Sequence, residues 1–236
     1  MNATRAQKRT AGFALGIFAL ALAIRLPFLG RAALWGDEIL FVQYMADVSL
    51  SPLRAFLDYW QNCLDFGQLP LAGVVLNVWM HAAGRCVPDV AHHVWALRLP
   101  GALAGALAVA GIYLLGRRLL RPELNRAATA MAAVFYYPVY YSREVYCYPY
   151  VLLCAACAFL FFHKALFDRR AGRGTVVALA LWSVALGWTH FGCSVALAGM
   201  ALLALAWRQR HARRGRRALA RRAAAAAAAE IGRAHV

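Results

Sequence analysis

Residues 96–118 of the chain read ALRLPGALAGALAVAGIYLLGRR. Between Arg98 and the pair Arg117–Arg118 this segment carries no charge. A helix of that length crosses the hydrocarbon core of a membrane, which is about 30 Å thick. Arginines directly after an apolar run are typical of cytoplasmic loops. The segment therefore predicts a membrane-crossing helix whose basic end lies inside the cell.

The composition of the whole chain agrees with a membrane location. Of 236 residues, 63% are hydrophobic and only 15% are charged, and the mean hydropathy is +0.54. A soluble domain of this length rarely carries so much apolar surface, and helices satisfy their own backbone hydrogen bonds in lipid. We predict an all-α, polytopic transmembrane helical bundle. The net charge of +16 does not indicate a nucleic-acid partner, because the arginines lie in short clusters beside apolar runs.

The number of crossings depends on residues 68–84, which as a helix would be about 25 Å long and marginal for a crossing. If they crossed, two arginine-rich clusters within 117–126 and 164–173 would both lie outside, against the preference of basic loops for the inside. We therefore predict a re-entrant or juxtamembrane helix there, at the outer surface. The six predicted crossings are 11–29, 96–116, 127–141, 147–163, 175–189 and 192–207.

This topology gives a cytoplasmic N-terminus and one transmembrane domain, residues 1–207. Its first outer loop, 30–95, contains two stretches with helical spacing, 38–48 and 52–64, which predict helices lying on the membrane. Arg25, about a turn from the outer end of the first crossing, is expected to extend to the lipid headgroups. Cys63 and Cys86 share this outer region, and whether they form a disulfide stays open.

The last segment, residues 208–236, is basic and then alanine-rich. It ends with EIGRAHV, which resembles a translated sequencing-adapter read-through. We therefore expect a truncated or artefactual end to the open reading frame. A natural disordered tail is the alternative interpretation.

Two adjacent carboxylates, Asp37 and Glu38, follow the first crossing in the stretch Leu34-Trp35-Gly36-Asp37-Glu38. A carboxylate at the membrane surface can act as a general base on an acceptor hydroxyl. The predicted topology brings further polar residues to the same face, and arginines there can stabilise a phosphate leaving group. These residues are Arg98, Arg143, Glu144 and His190.

Each of these residues also has a simpler interpretation. Asp37 and Glu38 can cap the N-terminus of a surface helix, which favours acidic side chains. Arg143 and Glu144 can form a local ion pair in a tight turn. His190 can be a hydrogen-bonded histidine at a helix end. No glycine-rich phosphate loop is present in the sequence, so an activated donor would be a lipid phosphate reached from the bilayer.

Several short motifs occur in an order that resembles the GT-C membrane glycosyltransferases, in the branch similar to protein O-mannosyltransferases and lipid A aminoarabinose transferases. The resemblance covers roughly residues 20–207. The motifs are Arg25-Leu26-Pro27, Leu34-Trp35-Gly36-Asp37-Glu38, Arg98-Leu99-Pro100-Gly101-Ala102-Leu103, Leu115-Gly116-Arg117-Arg118-Leu119, Tyr141-Ser142-Arg143-Glu144-Val145-Tyr146-Cys147-Tyr148 and Trp188-Thr189-His190-Phe191.

The resemblance implies an inverting transfer of a sugar from a polyprenyl-phosphate donor to a protein, lipid or glycan acceptor. Asp37 would be the catalytic base, and Glu38 a neighbour that orients the acceptor or a cation. The substrate-binding residues it suggests are Arg98, Arg143, Glu144, Tyr148 and His190. It also implies a bacterial inner-membrane enzyme with a periplasmic site, and further crossings beyond this chain.

The resemblance leaves cofactor use open. No cofactor follows with certainty and no metal-binding residue is assigned, but a divalent cation stays open. Where many relatives have His-Pro-Pro, this chain has Gln68-Leu69-Pro70, so a phosphate or metal role for that histidine does not transfer. A transporter or flippase is an alternative function; it would carry ionisable residues deep within the crossings, where this sequence has almost none. An inactive membrane fragment is the other alternative.

Overall fold

The structure is a computed structural model, and it describes residues 2–45, 51, 53, 54, 57, 70–87, 89–168, 171–190 and 192–202. Within these residues every regular element is a helix, as predicted. A single 3₁₀ turn, Val90–His92, precedes the longest helix. The α-helices are α1 Asn2–Arg25, α2 Gly36–Met45, α3 Leu71–Ala83, α4 Val94–Leu119, α5 Pro122–Val134, α6 Tyr136–Tyr141, α7 Tyr148–Phe167, α8 Arg173–Gly187 and α9 Gly192–Leu202.

The chain divides into two compact units, residues 1–194 and 195–236. Only residues 195–202, the end of α9, are described in the second unit. The predicted boundary after residue 207 lies outside the described residues, so it stays a prediction.

Helix α4 is the centre of the first unit, where it packs against α1, α5 and α7. Small residues allow these close contacts. A Cβ added to Gly105 of α4 would lie only 2.4 Å from the Cβ of Ser142, the residue after α6. A residue larger than glycine at this position would therefore push the turn after α6 away from α4. The predicted crossing 96–116 corresponds to α4, which begins two residues earlier and ends three residues later.

Two helices in the described residues, α4 and α7, are long and apolar enough to cross a membrane. Shorter apolar helices occupy Thr10–Arg25, α3, α8 and α9. The number of six crossings therefore stays a prediction, while these apolar helices are consistent with a helical membrane protein.

The predicted crossing 127–141 consists of two helices rather than one, and that it crosses the membrane stays a prediction. Helix α5 begins earlier, with Pro122 in its first turn, and ends before Phe135, whose backbone is extended at φ −62° and ψ 139°. Helix α6 follows directly. Pro138 explains part of this break, because it has no N–H to bond the carbonyl of Val134 four residues earlier.

The expectation that Arg25 reaches the headgroups is wrong. Its side chain is fully buried, with 0% exposure. Nη1 donates to the carbonyl oxygens of Ala21, at 2.9 Å, and of Ala133, at 3.1 Å, while Nη2 lies 3.5 Å from the carbonyl oxygen of Ala132. The break after α5 leaves those last carbonyls without partners in their own helix. Arg25 therefore caps α5, where a positive charge is favourable.

Helix α3 covers part of the predicted outer helix 68–84. Its 13 residues span about 20 Å, which is shorter than a hydrocarbon core. One of its faces packs in an apolar cluster with α2, α4 and the turn after α6. The largest members of this cluster are Phe41, Leu76, Met80, Leu97 and Val145.

The first predicted surface helix, 38–48, corresponds to α2, which begins at Gly36. The second, 52–64, lies almost wholly outside the described residues. The same holds for Cys63, so its pairing with Cys86, which is exposed, stays a prediction.

Candidate functional site

A buried ion pair between Glu38 and Arg98 joins α2 to α4. Arg98 Nε donates to Glu38 Oε1 at 3.0 Å, and Arg98 Nη2 donates to Glu38 Oε2 at 2.6 Å. Two parallel bonds of this kind fix both the position and the orientation of the carboxylate relative to the guanidinium. Glu38 is 0% exposed and Arg98 5% exposed. The pair therefore lies within the protein, away from water.

The remaining donors of Arg98 bind the loop between α1 and α2. Its Nη1 donates to the carbonyl oxygens of Leu29, at 3.1 Å, and Ala32, at 2.9 Å. Its Nη2 also donates to the carbonyl oxygen of Ala33 at 3.1 Å. A guanidinium has five N–H donors, and all five are used in this way. Arg98 therefore holds the loop that leads to the acidic pair.

Glu38 receives two further hydrogen bonds from backbone amides. Val145 N donates to Oε1 at 2.7 Å, and Trp35 N donates to Oε2 at 3.2 Å. The second bond comes from the residue before α2 and is the reciprocal contact typical of a helix N-terminus. One carboxylate thus connects three segments that are far apart in sequence: the loop after α1, helix α4 and the turn after α6.

Asp37 lies in the first turn of α2 and is exposed, unlike its neighbour. Its charge acts on the turn after α6, since it contributes to the raised pKa of both Glu144 and Tyr146. Asp37 is thus a solvent-accessible carboxylate close to that turn. Its backbone position is set by Glu38, the adjacent residue in the chain.

Glu144 is the second carboxylate of interest. It is 5% exposed, Tyr140 acts on its carboxyl to lower the pKa, and its Oε2 has no hydrogen-bond partner among the described residues. Burial raises the pKa of Glu144, and the negative charges of Glu38 and Asp37 raise it further. Tyr140 and the Arg98 charge act in the opposite direction.

Arg143 and Glu144 point to different partners, so the interpretation as a local ion pair in the turn is wrong. Arg143 Nη2 donates to the carbonyl oxygen of Pro27 at 2.8 Å. The Glu144 carboxyl interacts with Tyr140 instead. Arg143 is only partly exposed, and it adds a second arginine contact to the loop between α1 and α2.

A cavity of about 560 Å³ lies beside these residues. Its wall includes Arg98, Arg143 and Glu144 together with apolar and aromatic side chains from the end of α1, the following loop, α5 and α6. Those side chains include Phe28, Trp35, Val134, Tyr136 and Tyr140. A mostly apolar pocket with a few converging polar groups is typical of a ligand site.

The other four predicted site residues are not part of the wall of this cavity. Asp37 and Glu38 lie at the start of α2, next to the wall residue Trp35 in the chain. Tyr148 is exposed, and its ring contacts Tyr141 and Tyr146 at centroid distances of 4.7 and 5.0 Å. His190 is exposed near the start of α9, where its Nδ1 lies 3.4 Å from Cys193 N. That contact matches the simpler interpretation of a histidine at a helix end.

Within the described part of the chain, no three His, Cys, Asp or Glu side chains come together in a way that could hold a metal ion. The divalent cation left open by the sequence stays a prediction.

Sequence reasoning missed two features of the site. One is Tyr140, four residues before Glu144 in the chain, which acts on the Glu144 carboxyl. The backbone amide of Val145 carries no sequence signal, because every residue other than proline has one.

The helices and the site together describe an apolar helical protein, consistent with a membrane location, in which Arg98, Arg143 and Glu144 lie on the wall of one cavity. A comparison with protein families matches residues 75–229 to the family described as dolichyl-phosphate-mannose-protein mannosyltransferase. That match covers more than half of the chain, so the chain belongs to this family. The family resemblance seen in the motifs is therefore confirmed.

Membership makes the chain a membrane glycosyltransferase of the GT-C type, a class that uses lipid-linked sugar donors. Asp37 and Glu38 precede the matched residues. Searches of the curated proteins and of the solved structures found no match.

Proposed function

We propose that this protein transfers a sugar from a polyprenyl-phosphate donor to an acceptor hydroxyl, with inversion, at the outer face of a bacterial inner membrane. The acceptor is a protein, a lipid or a glycan. Asp37 is the general base, and Arg143 contacts the donor phosphate. Glu38 and Arg98 position these groups rather than contact the substrate.

The observation that carries this proposal is the difference in exposure between two adjacent carboxylates. Glu38 is 0% exposed and occupied by four hydrogen bonds, whereas Asp37 is open to solvent. A base must reach the proton that it removes. Asp37 meets that condition, and the buried bonds of Glu38 hold it in one place.

The proposed reaction is a single displacement. The acceptor oxygen attacks the anomeric carbon from the side opposite the phosphate, forming a new carbon–oxygen bond with inverted configuration. The bond between the anomeric carbon and the phosphate oxygen breaks, and its electron pair leaves with the polyprenyl phosphate. Asp37 takes the proton of the acceptor hydroxyl.

Arg143 is better suited than Arg98 to stabilise the departing phosphate. All five donors of Arg98 are used by Glu38 and by carbonyl oxygens. The hydrogen bond of Arg143 goes to one carbonyl oxygen, at the cavity wall, and leaves most of its guanidinium open. Charge-assisted bonds from an arginine strengthen as negative charge builds on the phosphate.

Replacing Arg143 with Gln is expected to lower the rate of sugar transfer by about tenfold to a thousandfold, the usual cost of losing one group that stabilises a leaving oxyanion. The measurement is the initial rate of mannose transfer from polyprenyl-phosphate mannose in membranes that contain the protein. Arg126→Gln is the matched control, because Arg126 is exposed and its described contacts are with the exposed Glu123 and the carbonyl oxygen of Pro122 in its own helix. An unchanged rate in Arg143→Gln would show that Arg143 does not stabilise the departing phosphate.

The proposed orientation places Arg143 outside and the basic residues around Arg121 inside. Single cysteines introduced near position 143 are expected to react with a membrane-impermeant maleimide added to intact cells, while cysteines near position 121 react only after permeabilisation. The native cysteines are first replaced by serine or alanine. The reverse labelling pattern would mean that the segment around residues 68–84 crosses the membrane.

A further inference from the structure

Glu144 contains a buried oxygen that the protein itself does not satisfy. The side chain is 5% exposed, and its Oε2 receives no hydrogen bond from the described residues. Buried polar atoms in native proteins are nearly always paired, so each exception calls for a cause. Here the carboxyl forms part of the wall of the 560 Å³ cavity. A group bound in that cavity is the partner that its position allows.

The surroundings of Glu144 restrict the chemistry of that group. Arg98, whose charge acts on Glu144, has all its donors occupied, and the described hydrogen bond of Arg143 goes to the Pro27 carbonyl oxygen rather than to Glu144. The negative charges of Glu38 and Asp37 act on Glu144, and burial together with these charges raises its pKa. A second anion would be repelled there. A hydroxyl suits this position as a partner of Oε2, because it can donate to a carboxylate and accept from a protonated carboxyl.

The backbone at Glu144, from which its carboxyl extends, is held on both sides. A Cβ added to Gly101 would lie 3.1 Å from the Glu144 carbonyl oxygen, so the turn rests directly against α4. The next amide, Val145 N, donates to Glu38 Oε1 at 2.7 Å. A binding group held in this way is already in place before the ligand arrives, which lowers the cost of binding.

Two aromatic rings lie on the same cavity wall. Tyr136 and Tyr140 stack at 5.4 Å with an interplanar angle of 20°, and they are 64% and 44% exposed. Exposed rings beside a buried polar group suit a ligand that has both apolar and hydroxyl surfaces. A sugar ring has this character, whereas a bare phosphate does not.

We propose that Glu144 is a specificity-determining residue that binds a hydroxyl of the donor sugar through Oε2, with the sugar ring packed near Tyr136 and Tyr140. This assignment rests on the proposed function, since it requires a lipid-linked sugar in the cavity. It separates two tasks at the site: Glu144 recognises the sugar, and Asp37 performs the proton transfer.

The test compares Glu144→Leu and Glu144→Gln with the wild-type chain, purified in detergent. Affinity is measured for polyprenyl-phosphate mannose, for its glucose form, and for polyprenyl phosphate without a sugar. Loss of one hydrogen bond to a carboxyl group is expected to weaken binding of the preferred sugar lipid about tenfold in Glu144→Leu, and less in Glu144→Gln. Binding of the bare lipid is expected to change by less than about twofold.

The melting temperature without ligand separates a binding role from a structural role. If Glu144 were a structural residue, its replacement would lower the melting temperature. Leucine removes a buried, unsatisfied oxygen, so Glu144→Leu is expected to melt at the wild-type temperature or above it. The matched control is Glu123→Leu, an exposed glutamate on α5, for which lipid binding should stay unchanged.

Two results would overturn the assignment. One is a melting temperature lowered by several degrees together with equal weakening of both the sugar lipid and the bare lipid, which would mark Glu144 as a structural residue. The other is unchanged affinity for every lipid. If the wild-type chain binds none of the lipids, the proposed function fails as well. If it binds and transfers normally while Glu144→Leu changes nothing, only this inference fails.

Discussion

Replacing Asp37 with Asn is expected to lower the rate of sugar transfer by at least about a hundredfold, because an amide cannot accept the proton of the acceptor hydroxyl. The melting temperature and the binding of the lipid-linked sugar should stay at their wild-type values. Asp37 is exposed, so its replacement by an amide of the same shape leaves no buried group without a partner. Transfer is measured as the initial rate from polyprenyl-phosphate mannose, normalised to the amount of protein.

The matched control is Asp168→Asn, which makes the same substitution in another exposed aspartate. Asp168 follows the end of α7, about 30 Å from the start of that helix, and pairs with Arg118. Its replacement should leave transfer unchanged. Undiminished transfer in Asp37→Asn would remove Asp37 from the mechanism, whereas loss of transfer in both variants would point to a general effect of the substitution on the protein.

Much of the helical framework was predictable because long apolar runs leave the chain few alternatives in a membrane. Helices α4 and α7 lie where their apolar segments predicted them. The break at Phe135 was not predicted, since the apolar run continues through it. The signal was Pro138, which interrupts the hydrogen-bond ladder without changing the hydropathy.

The site was less predictable than the helices because its contacts join distant parts of the sequence. Topology could place Glu38 and Arg98 on one face, but no periodicity shows that residues 60 positions apart form a buried pair. The same limit explains the error at Arg25. Hydropathy suggests that an arginine near a helix end extends to the headgroups, whereas the unpaired carbonyl oxygens at the end of α5 offered it a buried site.

Replacing Arg98 with Leu is expected to destabilise the protein by about 3–5 kcal/mol, because it leaves the buried carboxylate of Glu38 without its cation. Three carbonyl oxygens of the loop before α2 also lose their donors. Melting in detergent measures this effect. The control is Arg118→Gln, which breaks an exposed ion pair of 2.9 Å and should cost less than about 1 kcal/mol. Equal melting temperatures for the two variants would contradict the buried role of Arg98.

The double variant Glu38→Leu, Arg98→Leu separates folding from positioning. Removing both charges avoids the unpaired buried ion, so the double variant should be more stable than Arg98→Leu alone. Its transfer rate should nevertheless stay well below that of the wild type, because nothing then holds the loop and the first turn of α2 against α4 and the turn at Val145. Recovery of stability without recovery of activity would identify the pair as the support that places Asp37. Recovery of both would show that Asp37 needs no such support.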